Sequence, residues 1–81
     1  MRNVEQLIKE YIAQEFLHDK PRTMLEGNLI EEGVVDSLGI MTLIAYVEKE
    51  LGARIKPEDV VVENFESVAA IARLVRQRIV P

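Results

Sequence analysis

Apolar residues recur at helical spacing in three stretches of this chain. In the first, Val4, Leu7, Ile8, Tyr11, Ile12 and Phe16 fall at i, i+3, i+4, i+7, i+8 and i+12, a one-faced pattern that predicts a helix over about Val4 to Leu17. Asn3 stands in the N-cap position, with Gln6 three residues on at capping-box spacing. The second stretch predicts a helix from about Ser37 to Leu51, ended by Gly52. The third, with Val68, Ile71, Ala72, Val75 and Ile79 on one face, predicts a helix that starts after the N-cap Ser67 and runs to about Ile79. Arg73, Arg76 and Arg78 lie toward its C-terminal end, where cations complement the helix dipole.

Between these stretches the period fails. From about His18 to Val35, Pro21, Gly27, Asn28 and Gly33 punctuate a long loop, which Leu25, Leu29, Ile30, Val34 and Val35 should pin to the core. A loop of that length in a small domain is often functional. The stretch Ile55 to Glu66 is short and mixed, with Pro57-Glu58-Asp59 reading as a turn or short helix start and Phe65 as its anchor. No segment alternates with a period of two. The expected fold is an all-α bundle of three long helices and one short one, in a single domain over residues 1–81.

Composition narrows the chemistry. With 81 residues the core is thin, and with no cysteine the fold forms without disulfides or a cysteine-bound zinc. The single histidine, His18, is too little for a histidine-based metal site or a triad. A net charge of -4 argues against nucleic acid as a partner. The longest apolar runs, Leu43 to Val47 and Val68 to Ala72, are five residues each, against the ~18 or more of a membrane span. Met1-Arg2-Asn3-Val4-Glu5 has no signal-like apolar stretch, so the expected compartment is cytoplasmic.

The second helix carries two apolar arcs. Ile40, Leu43, Ile44, Val47 and Leu51 cluster within about 100° and form an ordinary core face. Leu38, Met41 and Ala45 cluster roughly 130° away. Either this second arc packs under the long loop, or it is an exposed strip, rimmed by Thr42, Glu48 and Lys49, that docks a partner. Met41 suits such a strip because its side chain adapts to different surfaces. Charge is unevenly spread. Residues 26–66 hold ten acids and three bases, a net of -7, while the rest of the chain carries +3. The middle of the chain therefore favours basic partner surfaces.

Ser37 begins the second helix, in Gly33-Val34-Val35-Asp36-Ser37-Leu38. Free backbone N–H groups at a helix start favour an anion, so a phosphate ester on Ser37 would be well placed. Asp36 reads either as a plain N-cap or as a carboxylate that positions a metal ion or takes a proton in a partner enzyme's site. Phosphorylation of Ser37 as a switch stays open. A hydrolase does not fit, because no Gly-x-Ser-x-Gly elbow or positioned histidine accompanies the serine.

The segments Asn28 to Leu38, Ile40 to Gly52, Ile55 to Val60 and Glu63 to Ile71 together resemble the acyl carrier protein family, which includes peptidyl and aminoacyl carriers. The resemblance spans roughly residues 4 to 79. It implies a four-helix carrier fold with a long loop between the first and second helices. It implies 4'-phosphopantetheine, derived from coenzyme A, joined covalently to Ser37 by a phosphopantetheinyl transferase, with Asp36 and Leu38 flanking the attachment. The group's thiol would carry acyl or aminoacyl thioesters; the carrier itself would be no enzyme, would hold no metal and would act as a monomer. Leu38, Met41, Thr42, Ala45 and Glu48 would be docking contacts. Fatty-acid-synthesis carriers often have several acids along this helix, and Gly39 and Thr42 stand at two of those positions. The resemblance therefore implies a free-standing carrier of a specialised pathway, loaded by an acyl- or aminoacyl-adenylating ligase. The alternatives are a carrier of primary fatty-acid synthesis and, in another class, a helical interaction adaptor with no prosthetic group.

Overall fold

A computed structural model describes residues 3–79. Met1 and Arg2, at the start of the polar N-terminus, and the last two residues lie outside the described part. The described chain is all-α: α1 (Val4–Ile12), α2 (Ser37–Glu50) and α3 (Val68–Arg78), with short 3-10 turns at Arg22–Glu26, Pro57–Asp59 and Val62–Asn64. The expected fourth, short helix is resolved into the last two of these turns.

The helix starts follow their caps. Asn3 Oδ1 accepts from the amides of Glu5 at 2.8 Å and Gln6 at 3.4 Å, and Ser67 Oγ accepts from Ala70 N at 3.0 Å. The capping box at Asn3 is only half formed, because the Gln6 side chain donates forward to Glu10. Gly52, at φ 73°, takes the left-handed conformation just past α2.

The first helix departs from expectation at its end. After Ile12 it widens into a π-helical turn, Ala13–Leu17. Leu17 is off the apolar face by α-helical spacing, roughly 140° from Ile12 at ~100° per residue; at about 80° per residue in an i→i+5 turn it comes back to roughly 40°. Leu17 is accordingly buried. The turn is followed by His18 at φ 48°, a strained value for a residue with a Cβ.

The core joins Ile8, Ile12 and Leu17 to Leu43 and Val47 of α2, Phe65, and Val68, Ile71, Ala72, Leu74 and Val75 of α3. α1 packs most extensively against α3, in which Ala70 and Ala72 are both buried. Between α1 and α2, the rings of Tyr11 and Tyr46 stack at 3.8 Å, and Phe16 meets Tyr11 edge-on at 6.2 Å. Burial, then Glu15 and Tyr46, raises the Tyr11 pKa.

The C-terminal end of α3 departs as well. Ile79 is not on the buried face; it is extended and bridges Ala53, while Arg54 N donates to Arg78 O at 2.9 Å. Arg78 does more than complement the helix dipole. Its Nε and Nη2 each donate to the buried Asp59 carboxylate at 2.8 Å, and Lys56 N adds a third bond at 2.9 Å. The Arg78 hydrogen bonds, followed by the Lys56 amide, hold the Asp59 pKa down at about 2.

Candidate functional site

The long loop is folded, and its folding delivers Asp36 and Ser37 to the surface. Asn28 Oδ1 accepts from the amides of Ile30 at 3.0 Å and Glu31 at 2.9 Å, forming a tight turn. Gly33 follows at φ 74°, which favours glycine. The Leu29 carbonyl then accepts both Val34 N at 2.9 Å and Val35 N at 3.1 Å, while Leu29 N donates to Glu66 O at 2.7 Å, just before α3. Leu25, Leu29, Val34 and Val35 are buried and Ile30 is half-buried, so the apolar residues pin the loop as the sequence implied.

Asp36 is the N-cap and Ser37 the first helical residue. Asp36 Oδ1 accepts from Gly39 N at 2.7 Å, and its carbonyl accepts from Ile40 N at 2.9 Å. The Ser37 side chain is exposed and makes no hydrogen bond within the described residues. The amides of Ser37 and Leu38 also have no acceptor there. A phosphoester oxygen on Ser37 would sit beside these donors at the positive end of a 14-residue helix. An exposed hydroxyl with no competing partner fits a phosphopantetheine joint.

The second arc of α2 faces outward. Leu38 is 76% exposed and Met41 62% exposed, and Ala45, Thr42 and Glu48 are exposed as well. Leu43 and Val47 are buried, with Ile40, Ile44 and Leu51 half-buried on the opposite arc. The packing of Leu38 and Met41 under the loop does not occur. Thr42 Oγ1 donates to Leu38 O at 3.2 Å, which satisfies the hydroxyl within its own helix. Glu48 accepts from Ile55 N at 3.3 Å, so it also ties α2 to the segment that follows. A surface cleft of about 520 Å³ lies elsewhere, between the starts of α1 and α3, and none of these residues lines it.

Sequence reasoning missed Val60, Val61 and Val62, three exposed apolar residues where the last two 3-10 turns join. Their run was visible, but no helical or strand period marks which way they face. It also missed Phe16 as a neighbour of the turn that starts α2, a contact between residues far apart in the chain. Among the described residues no group of three or more acidic, histidine or cysteine side chains is arranged to hold a metal ion.

Comparison with known proteins agrees with this geometry. Residues 6–75 match the family described as phosphopantetheine attachment site. The chain is also similar to the acyl carrier protein of Buchnera aphidicola subsp. Baizongia pistaciae, at 34% identity over 77 residues, covering 95% of this chain and 96% of that protein. Members of the family are non-catalytic carriers that hold phosphopantetheine covalently and are handled by phosphopantetheinyl transferases and acyl-processing enzymes. The match spans the loop, the exposed serine and all three helices, and the chain belongs to the acyl carrier protein family of phosphopantetheine attachment domains.

Proposed function

We propose that Ser37 is the attachment residue and that residues 1–81 act as one cytoplasmic carrier domain of a specialised biosynthetic pathway, loaded by an adenylating ligase. The observation that carries the assignment is the exposed, unbonded Ser37 hydroxyl on the first turn of α2, inside the matched region. Ser37 Oγ would form the new bond to the phosphorus of the phosphopantetheine half of coenzyme A as the pyrophosphate P–O bond breaks, losing its proton in the transferase's site while adenosine 3',5'-bisphosphate leaves. Asp36 keeps the helix start in place through Gly39 N, and its second oxygen is left to face the transferase. When bound, the group supplies a thiol that holds the cargo as a thioester.

Leu38, Met41, Thr42, Ala45 and Glu48 form the docking face. An apolar strip this exposed, within a region of net charge -7, suits partners with an apolar contact framed by basic side chains. Gly39 and Thr42, neither of them acidic, favour the specialised pathway over primary fatty-acid synthesis. Incubation with coenzyme A, magnesium and a broad-specificity transferase should add one phosphopantetheine unit to the intact mass. Ser37→Ala should add none; an equal gain in that variant would refute the assignment.

A further inference from the structure

Gly39 has less room than a residue on the first turn of an exposed helix start normally has. It is buried, although Leu38 before it and Met41 two residues on are among the most exposed apolar residues. A Cβ at this position would lie 3.1 Å from Phe16 Cε1, 3.2 Å from Asp36 Oδ1 and 3.3 Å from Val35 Cγ1. Three side chains thus converge on the space that any other residue would fill, and one of them is the carboxylate oxygen that accepts from Gly39 N. A glycine in a helix normally destabilises it. Here its absent Cβ lets an aromatic edge reach the hydrogen bond that starts α2.

Phe16 reaches this place from α1. It lies in the π-helical turn that follows α1 and ends at the strained His18. Such turns often occur at functional sites. Phe16 is also held edge-on by Tyr11, whose ring stacks on Tyr46 farther along α2. The ladder has its free end against Gly39, two residues from Ser37.

We propose that Phe16, seated against Gly39, is a positioning residue for phosphopantetheine attachment: it covers the Asp36–Gly39 hydrogen bond and so fixes how Ser37 is presented to the transferase. The proposal rests on Ser37 being the attachment residue. Phe16 touches none of the reacting atoms. It acts through the Asp36 carboxylate, which a shift of a few tenths of an ångström would re-aim.

The test is a double-mutant cycle on modification rate, using Gly39→Ala, Phe16→Leu and the pair, all assayed well below the melting temperature of the least stable variant. Gly39→Ala should lower kcat/KM about tenfold and Phe16→Leu about threefold, since small misplacements near a reacting group cost rate steeply. The double variant should be no slower than Gly39→Ala alone, because both substitutions disrupt one contact. Rates that multiply, or single variants that react like the wild type, would overturn the proposal. The Gly39 amide resonance gives a second readout that needs no transferase. In Phe16→Leu it should shift and its exchange with solvent should quicken, while amides of α3 stay in place. An unmoved Gly39 amide would also overturn the proposal. A wild-type chain that is never modified would instead remove the attachment assignment, and the amide would still decide whether Phe16 guards this hydrogen bond.

Discussion

Asp36 and Asp59 each accept a backbone amide at the start of a helical turn, yet their surroundings differ. Asp59 is buried, and its two oxygens take the Lys56 amide and both Arg78 donors, while its carbonyl takes Asn64 Nδ2 at 2.8 Å. Every strong acceptor site there has an internal partner. The Asp36 carboxylate is exposed and accepts one bond, from Gly39 N, beside a serine hydroxyl that accepts and donates none among the described residues. The first aspartate closes a corner of the fold. The second leaves hydrogen-bonding capacity turned outward next to Ser37. Saturated polar groups hold structure, and the unsaturated one marks where a partner acts.

Substitutions at the two sites should separate accordingly. Asp36→Ala should have the largest effect on modification, slowing it tenfold or more, with a stability loss of about 1 kcal/mol from the missing cap. Asp36→Asn refines this, since it keeps a capping oxygen and removes the charge. Stability should hold while modification still slows; a wild-type rate in Asp36→Asn would reduce Asp36 to a cap. Met41→Glu should come next, weakening transfer from a loading enzyme several-fold by setting a charge against the partner's apolar contact. Its helical circular dichroism should match the wild type, because Met41 is largely exposed. Unfolding would show that Met41 is part of the core after all.

Asp59→Asn should have the smallest effect on modification, and its effect should appear in stability. The Asp59 pKa is lowered from 3.8 to about 2 in the folded chain. A depressed carboxyl pKa contributes stability above its unfolded value, and that contribution is lost as pH falls through the folded one. Denaturant titrations should therefore show the wild type losing its advantage over Asp59→Asn between pH 3.8 and about 2. A constant difference across that window would show that the ion pair does not stabilise the fold.

These contrasts also mark what the sequence could reveal. Local signals were legible: the caps Asn3 and Ser67, the stop at Gly52, the buried Phe65 and the two arcs of α2 each depend on residues within a turn or two. The Asp36-Ser37-Leu38 junction was legible for the same reason. What escaped depends on distant partners or on a change of period. Arg78 meets Asp59 across nineteen residues of chain, and nothing in a dipole argument selects that carboxylate. Ile79 leaves the helical face because its backbone bridges Ala53. Leu17 enters the core through a π-helical turn that a fixed 3.6-residue period does not anticipate, and Phe16 meets Gly39 from a distant part of the chain. The short fourth helix became two 3-10 turns, which three-residue runs such as Pro57–Asp59 favour.

The central claim is that one hydroxyl, on Ser37, receives the prosthetic group. It is tested most directly by tryptic digestion of the modified chain and fragmentation of the peptide 23–49. That peptide holds Ser37 together with Thr23, Thr42 and Tyr46. The account predicts that all of the added mass resides on Ser37, with the other three hydroxyls unmodified. Added mass on Thr42, or on a peptide outside residues 23–49, would contradict it.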